Sequence, residues 1–394
     1  LSGSYGGAMT KLWDARGWIG LSGERARLRV RAERFSLGRI ASVLKRTPVI
    51  LPQQTLVDGK ADLRWQGGAL DFGGHLDVDR LSLFHPMLAR TPVLDLSIET
   101  SLSGKLDWPG RELVLDRLTV RRAGVEARVE GTVERIGDEP LVQLRLRVPR
   151  VPCQRVIAAF PPSLVPAVRG FGLRGHFFAD IKTTIDFRKL SQLTLSSKLG
   201  LRTCKVASAP EEASIERLQG PFEHVVEVTP NQQLVFTVGP DNEDFVPYDQ
   251  ISPAMVKALL TTEDGGFFRH RGFIPSQMRK ALARNLKRGG FRLGASTISM
   301  QMVKNVLLTH DKTLSRKLQE LFLTWYLEQG LSKERIMEHY LNVIEFGPRI
   351  YGIGGAARHY FGQQAREITP LQAAFLASLL PSPKRRYVHY CRGA

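Results

Sequence analysis

Two glutamates, Glu263 and Glu320, lie at opposite ends of a basic segment that is rich in Gly, Ser and Thr. A carboxylate can take a proton from an attacking hydroxyl, and nearby cations can hold the negative charge that develops on a departing phosphate. Both kinds of group occur together in this segment. The pattern therefore indicates a site that transfers a group linked to a phosphate.

Glu263 is the candidate base. It follows the apolar run Met255–Leu260 and precedes Gly265 and Gly266. We therefore expect it at the end of a helix that faces a loop, a place where functional side chains often lie. The alternative is an acidic helix end with a structural role only.

A second polar segment supplies Lys304, which could act as a point charge for a phosphate. A turn at Gly289 and Gly290 is expected to precede it. The segment lacks the Gly-Lys-Ser/Thr ending of a nucleotide-binding phosphate loop. Its other polar candidates are Ser296, Thr297, Gln301 and Asn305.

A third cluster consists of Arg316, Lys317 and Glu320. The two cations lie four and three positions before the carboxylate, so all three share one face of a predicted helix. They could hold a pyrophosphate together. The alternative is a surface ion pair, which contributes about 0.3 to 0.5 kcal/mol.

The order of these clusters resembles the successive motifs of the family 51 glycosyltransferases, which polymerise lipid II into the glycan strands of peptidoglycan. The family's Glu-Asp-x-x-Phe-x-x-His-x-Gly motif is matched in full from Glu263 to Gly272, and its Arg-Lys-x-x-Glu motif from Arg316 to Glu320. Its Gly-Gly-Ser-Thr-Ile-x-Gln-Gln-x-x-Lys-Asn motif is matched except at Ala295 and Met300. Two later segments, 332–342 and 347–362, look like its remaining motifs, which are expected to be scaffold.

The resemblance implies a role for each matched residue. Glu263 would be the catalytic base, and Glu320 the second essential carboxylate, near the pyrophosphate or a divalent cation such as Mg²⁺ or Mn²⁺. The substrates would be lipid II and the nascent glycan strand, and the leaving group undecaprenyl pyrophosphate. The residues expected to bind substrate or phosphate are Asp264, His270, Ser296, Thr297, Gln301, Lys304, Asn305, Arg316 and Lys317.

Two alternatives from other classes stay open. Two carboxylates on a lysozyme-like scaffold could cleave glycan, as a hydrolase or lytic transglycosylase does, although a neutral leaving group needs no cations. Met300, in place of an amide, favours instead a non-catalytic lipid-binding envelope protein whose catalytic module has decayed. Peptide cross-linking is not expected, because the chain holds no Lys-Thr-Gly motif.

Positive charge is concentrated in the same part of the chain. The formal net charge of the 394 residues is +18, and residues 247–394 hold 22 basic and 10 acidic side chains. Within Arg269–Arg292, Met278, Leu282 and Leu286 recur at helical spacing among eight basic residues. This predicts a basic amphipathic helix suited to an anionic membrane surface, the alternative being a solvated face. Nucleic acid is not an expected partner, because no nucleic-acid-binding signature is present.

The N-terminal part of the chain has a different periodicity of apolar and polar side chains. Roughly the first 200 residues alternate apolar and polar side chains, as in Leu28-Arg29-Val30-Arg31. This predicts an antiparallel meander of half-buried strands with one wet face, and we expect Gly104, Gly131 and Gly175 at turns or bulges between strands. The region resembles, more weakly, the AsmA-like envelope proteins, whose curved sheets offer an apolar groove to lipids. The alternative is a β-rich spacer or docking domain.

The predicted fold is therefore multidomain. Residues 1–230 form the β-rich region, with a break near 160–170 that could divide it in two. Residues 231–243 form a linker, because Pro230–Asn242 is rich in turn formers. Residues 244–387 form a mainly α-helical domain, which the resemblance implies is lysozyme-like.

Helical spacing begins after Pro247. Ser332 is a candidate N-cap, Thr369 and Gln372 form a capping-box pattern, and Pro381 should end the helix that follows. One predicted apolar stripe consists of Leu314, Leu318, Leu321 and Trp325.

The compartment is suggested only indirectly. The three cysteines, Cys153, Cys204 and Cys391, are too few and scattered to predict a disulfide framework or a zinc site. No run approaches the ~18 to 20 apolar residues of a spanning helix. Because the sequence begins at Leu1, which suggests a fragment, we expect a membrane anchor upstream. The resemblance implies a location on the outer face of the bacterial inner membrane and partners among the cell-wall synthesis proteins.

Overall fold

The computed structural model describes residues 2–3, 13–201, 203–229, 232–288, 294–309 and 311–392. A large antiparallel β-rich region comes first and a mainly helical region follows, which confirms the predicted order. The turn formers Pro230 and Asn231 and the turn at Gly289 and Gly290 lie outside the described residues.

Most strands belong to one sheet. Its order is β1-β2-β3-β5-β6-β7-β8-β9-β10-β12-β13, with β4 paired to β6, so the predicted meander is confirmed. Separate pairs are β11 with β14 and β15 with β16. The bounds are β1 (Ser2–Gly3), β2 (Trp13–Ile19), β3 (Arg25–Ser36), β4 (Val49–Ile50), β5 (Leu56–Gln66), β6 (Ala69–Leu83), β7 (Val93–Asp107), β8 (Glu112–Arg122), β9 (Val125–Glu134), β10 (Leu141–Pro152), β11 (Gly172–Arg174), β12 (His176–Asp186), β13 (Thr194–Leu199), β14 (Lys205–Ser208), β15 (Phe222–Thr229) and β16 (Gln232–Val238).

The two faces of the sheet differ as the alternation predicts. Leu63 is paired with Leu28 on one side and with Phe72 on the other, and directly opposed residues share a face. On the opposite face Arg27 pairs with Asp62 over 2.5 Å. That hydrogen bond is the main cause that lowers the pKa of Asp62 to about 2. One face is therefore apolar and the other carries charge.

Glycines in the sheet do more than mark turns. Gly175 lies between β11 and β12 at a φ of +94°, as expected of a turn. Gly104 and Gly131 lie inside β7 and β9 and not between strands, but the pairing of β7 with β8 shifts in register at Gly104, as expected of a bulge. A Cβ on Gly104 would lie 2.3 Å from the Val114 carbonyl oxygen and 2.7 Å from the Phe72 ring. Close packing across the sheet, which single-strand patterns do not reveal, requires glycine there.

A disulfide joins Cys153 to Cys204. Cys153 begins the short helix α2 (Cys153–Ala158), and its N–H donates to the Gly175 carbonyl. The expectation that the cysteines form no disulfide framework therefore needs correction at this pair. The partners are 51 residues apart and only the fold brings them together. Cys391 is free and exposed.

The helices of the second part end where local signals predict. Ser332 accepts a hydrogen bond from the Arg335 N–H, Thr369 and Gln372 form the predicted capping box, and the helix that follows them ends before Pro381. The bounds are α1 (Ala41–Leu44), α3 (Ile215–Gln219), α4 (Pro253–Thr262), α5 (Pro275–Lys287), α6 (Ile298–Leu307), α7 (Leu314–Gly330), α8 (Lys333–Val343), α9 (Ile353–Phe361), α10 (Pro370–Leu379) and α11 (Pro383–Cys391), with the short strands β17 (Glu345–Gly347) and β18 (Ile350–Tyr351).

Helix α7 confirms a predicted helix but corrects its stripe. Leu314 is 53% exposed, whereas Gln319 and Glu320 are buried. These polar side chains are buried because α7 packs against both the β-rich region and the polar segment on α6. Leu318 and Trp325 of the predicted stripe are partly buried against the hydrophobic core, so the stripe is wrong at the exposed Leu314 and omits the buried polar residues.

One hydrophobic core spans both parts of the chain. Phe171, from the stretch after the disulfide helix, packs edge-on against Phe322 and Tyr326 of α7, with ring centroids 5.0 and 5.1 Å apart. Leu218 of α3 and Val238 of β16 belong to the same buried cluster as the helices. Among the described residues, no helix is both long and apolar enough to cross a membrane.

Candidate functional site

Glu263 stands at the C-terminal end of α4, as the sequence predicts. Its N–H donates to the Leu259 carbonyl over 2.8 Å, and a glycine-containing turn follows. The side chain is half-buried. The carboxylate is therefore held at a helix end with one side toward solvent.

Gln301 of α6 orients this carboxylate. Its Nε2 donates to Oε2 of Glu263 over 2.8 Å, and its Oε1 accepts from the Tyr340 hydroxyl over 3.1 Å. Burial, followed by the nearby Glu263 charge, raises the pKa of Tyr340, so this hydroxyl keeps its proton. Among the described residues no hydrogen bond reaches Oε1 of Glu263. Gln301 therefore fixes one of the two carboxylate oxygens.

Asp264 and His270 lie behind Glu263. The Asp264 side chain is fully buried, and its oxygens accept from Nε2 of His270 at 2.9 Å and from the Ile298 N–H at 3.1 Å. The Ile298 N–H is one of the free donors at the start of α6. These contacts fasten the Glu263 loop to α6, which favours a positioning role for both residues over direct contact with substrate.

Thr297 and Ser296 differ in exposure. Thr297 is the N-cap of α6, donates to the Gly272 carbonyl over 2.7 Å and is buried. Gly272 has a φ of +83°, and a Cβ there would lie 2.8 Å from Thr324. Ser296 is half-buried, and its hydroxyl accepts from Nζ of Lys317 over 3.3 Å. Of the two, only Ser296 lies beside the cations.

The Glu320 carboxylate is enclosed by two cations. Arg316 donates to its Oε2, and Lys317 donates to its Oε1 over 2.5 Å. Glu320 is 2% exposed, so the alternative of a solvent-exposed surface pair is wrong. The Arg316 Nε also donates to the Asp311 carbonyl. This cluster is a fixed group of charges on α7.

Lys304 of α6 is the remaining cation of the site. Burial lowers its pKa, and Arg316 and Lys317 lower it further, while the charges of Glu320 and Glu263 raise it. Lys304 therefore lies within electrostatic range of both carboxylates. Within the part of the chain that the structure describes, its ammonium forms no direct hydrogen bond or ion pair. Its neighbour Asn305 is half-buried.

The residues around Glu320 do not fit a divalent cation. Both carboxylate oxygens accept from cations, and no group of three His, Cys, Asp or Glu side chains that could hold a metal occurs among the described residues. Mg²⁺ is bound through carboxylate or phosphate oxygens in octahedral geometry. We derive no step through a metal.

Met300 lies in the interior with 1% exposure. A side chain at this position therefore faces the protein and not a bound substrate. Met300 is one of the two departures from the Gly-Gly-Ser-Thr motif, and the contact to Glu263 is made by its neighbour Gln301.

Two further residues of the site, Tyr340 and Lys333, were not predicted from the sequence. Tyr340 was expected to be scaffold, yet it fixes Gln301. Lys333 donates to Glu328 over 2.6 Å and lies 4.4 Å from the centroid of the Phe267 ring, beside the loop that follows Glu263. Both belong to the 332–342 segment, and the resemblance of that segment to a family motif was the one sequence feature that could have pointed to them.

The basic helix α5 confirms the predicted helix. Its most buried residues are Ala281 and Asn285, while Met278, Leu282 and Leu286 are half-buried. The helix contacts residues 187–192, which follow β12. Its exposed basic side chains are Arg279, Lys280, Arg284, Lys287 and Arg288.

Comparison with known proteins places this site in a family. The family model described as transglycosylase matches residues 231–392. A curated relative from Nitrosospira multiformis, named biosynthetic peptidoglycan transglycosylase, is 49% identical over 140 residues, which are 36% of this chain and 61% of the relative. One of the same name from Nitrosomonas eutropha is 47% identical over 140 residues, 36% of this chain and 57% of the relative.

A third relative, also named biosynthetic peptidoglycan transglycosylase and from Acinetobacter baylyi, is 42% identical over 164 residues, 41% of this chain and 73% of the relative. This chain belongs to the transglycosylase family, the family 51 glycosyltransferases that the motifs resemble. The chain spans about three fifths of the length of the first two relatives.

Proposed function

We propose that the chain is a peptidoglycan glycosyltransferase that polymerises lipid II into β-1,4-linked glycan strands. The observation that carries the proposal is the oriented Glu263 carboxylate, held by Gln301 and accompanied by a buried cluster of cations. Membership of the transglycosylase family supports it independently.

The proposed reaction is one substitution at the anomeric carbon of the growing strand. Oε1 of Glu263 takes the proton from the 4-hydroxyl of the acceptor N-acetylglucosamine, whose oxygen forms the new bond to that carbon. The bond from the carbon to the pyrophosphate oxygen breaks, and undecaprenyl pyrophosphate leaves with the electron pair. Lys304, Arg316 and Lys317 hold the charge that develops on it.

Cleavage of glycan is the less favoured activity. A glycosidase needs a carboxylic acid that protonates the leaving oxygen. Glu320 has both oxygens occupied by Arg316 and Lys317, so neither is free to carry such a proton. Three cations beside the site suit a pyrophosphate leaving group better than a neutral sugar.

The wider setting is also a proposal. We place the chain in the bacterial cell envelope, on the outer face of the inner membrane, with α5 against the anionic membrane surface. The disulfide between Cys153 and Cys204 supports an oxidising compartment. We further propose a lysozyme-like scaffold for residues 244–387.

For residues 1–230 we propose an AsmA-like envelope domain. The uninterrupted apolar pairing of Leu28, Leu63 and Phe72 on one face of the sheet supports a surface for lipid chains. Other cell-wall synthesis proteins remain proposed partners.

A product assay separates the candidate functions. The purified chain is incubated with labelled lipid II and, separately, with mature peptidoglycan. Lengthening glycan strands from lipid II, which lysozyme then degrades, are the expected result. Soluble sugars released from mature peptidoglycan would instead favour a cleaving enzyme, and no product from either would favour a decayed module.

A further inference from the structure

We propose that the β-rich region positions the leaving-group cluster of Arg316, Lys317 and Glu320, and that Ser315 and Gln319 are the positioning residues through which it does so. This inference rests on the proposed glycosyl transfer and assigns a task to a region that the transglycosylase match does not cover, since that match begins at residue 231.

The first contact fixes the start of α7. The N–H groups of Leu314 and Ser315 donate to the carbonyls of Met87 and Leu88 over 2.8 and 2.9 Å. The first N–H groups of a helix have no acceptor within the helix. The loop between β6 and β7 supplies those acceptors, so the helix that carries the cluster begins against a loop of the β-rich region.

The second contact consists of two buried side chains, Ser315 and, one turn further, Gln319. The Ser315 hydroxyl donates to the Leu164 carbonyl over 2.6 Å, and the Ala167 N–H donates to Oε1 of Gln319 over 2.6 Å. Nε2 of Gln319 in turn donates to the Ser315 carbonyl. Ser315 and Gln319 are 7% and 5% exposed. Gln319 directly precedes Glu320, so this bond fixes the backbone that carries the buried carboxylate.

The third contact reaches Arg316 through Asp311. Arg90, in the loop before β7, pairs with the Asp311 carboxylate over 2.7 Å, and the Asp311 carbonyl accepts from Nε of Arg316. Arg90 is largely exposed, so this pair adds little stability by itself. It nevertheless holds the segment that orients the guanidinium of Arg316.

These contacts converge on groups that act late in the reaction. Cations that stabilise a departing pyrophosphate work best when they are already in place, because reorganisation during the reaction raises the barrier. A small shift of α7 should therefore lower kcat, while KM for lipid II changes little. A contact that served stability alone would not separate kcat from KM.

The test compares two deletions of a hydrogen bond between the β-rich region and α7. Gln319→Met removes the acceptor for Ala167 next to Glu320. Tyr326→Phe removes the acceptor for the Ile215 N–H, 3.2 Å away, six positions beyond Glu320, and is the matched control. In the full-length chain, Gln319→Met should lower kcat on lipid II about three- to ten-fold with KM within about two-fold of wild type. Tyr326→Phe should leave kcat unchanged at a similar loss of thermal stability.

Two smaller substitutions at Ser315 test the same inference in case Gln319→Met does not fold. Ser315→Ala should lower kcat in the same direction, and Ser315→Thr, which keeps the hydroxyl, should restore it. Equal kcat losses in Gln319→Met and Tyr326→Phe, or unchanged kcat in folded Gln319→Met and Ser315→Ala, would overturn the inference.

Hydrogen exchange of residues 313–320 separates this inference from the proposed activity. Exchange there should be faster in Gln319→Met than in Tyr326→Phe, and equal exchange would overturn the positioning role even if the enzyme polymerises lipid II. A wild-type chain that makes no glycan from lipid II would instead overturn the proposed function.

Discussion

Gln301 and Glu263 are joined by a hydrogen bond of 2.8 Å between the amide Nε2 and the carboxylate Oε2. They come from different helices and are 38 positions apart. The amide keeps this orientation because its oxygen accepts from Tyr340. One oxygen of the carboxylate is thus fixed, and the proposed mechanism assigns the other to the acceptor hydroxyl.

Tyr340→Phe should lower kcat about three- to ten-fold, because Gln301 loses the donor that fixes its amide and can turn its carbonyl toward Glu263. The measurement is the steady-state rate of lipid II polymerisation. Tyr248→Phe, at a half-buried tyrosine away from Gln301, serves as the control and should keep wild-type activity. Equal rates for Tyr340→Phe and wild type would show that Gln301 needs no such support.

Lys304 should set an alkaline limit on activity. Burial lowers the pKa of its ammonium, so the positive charge is present below that lowered pKa and is lost as the pH rises through it, earlier than for an ordinary lysine. Lys304→Arg stays charged and should extend activity to higher pH, whereas Lys304→Met should lower kcat about 10²- to 10³-fold at neutral pH. Rate profiles from pH 7 to above 10 test this, and identical alkaline limbs for Lys304→Arg and wild type would contradict it.

His339 should make the fold sensitive to acid. Burial and then the charge of Arg335 lower its pKa from 6.5 to about 4, and its Nε2 lies 2.7 Å from the Leu218 carbonyl. Between these pH values the unfolded chain binds the proton and the folded one does not, so stability is full above 6.5 and falls as the pH drops toward 4. The loss should be about 3 kcal/mol.

Urea denaturation at several pH values measures this effect. His339→Gln should flatten the dependence of the unfolding free energy on pH between 4 and 6.5, even if it lowers stability at pH 7. A variant with the wild-type slope would assign the acid sensitivity to other groups.

The disulfide should stabilise the segment that docks on α7. Cys153→Ser should lower the unfolding free energy by about 2 to 4 kcal/mol, because the unfolded chain loses a crosslink that closes a long loop. Thermal denaturation under non-reducing conditions is the measurement. Cys391→Ser should have no effect, and a reductant should lower the melting temperature of wild type but not of Cys153→Ser.

Local signals in the sequence predicted local structure well. The caps at Ser332 and Thr369 need only neighbouring residues, and the alternation at Leu28–Arg31 predicted the sheet. The candidate residues Glu263, Gln301, Lys304 and Glu320 could be selected from the sequence, because their order along the chain carries the resemblance.

The rest depends on contacts between distant parts of the chain. Two contacts join residues that are far apart in the sequence, so no local pattern predicts them. They are the disulfide between Cys153 and Cys204 and the hydrogen bond from Tyr340 to Gln301. The buried polar side of α7 was missed for the same reason, since Gln319 is covered by Ala167, which lies 152 positions earlier. Helical spacing alone shows a periodicity and does not show which partner will cover a face.

The most direct test of the central claim is lipid II polymerisation by Glu263→Gln. The variant keeps the size of the side chain and an oxygen that can accept from Gln301, but it cannot act as the base. We expect its rate to fall by about 10²- to 10⁴-fold with an unchanged melting temperature, while Glu334→Gln, at an exposed glutamate, polymerises at the wild-type rate. Polymerisation by Glu263→Gln at the wild-type rate would contradict the assignment of the base and the mechanism built on it.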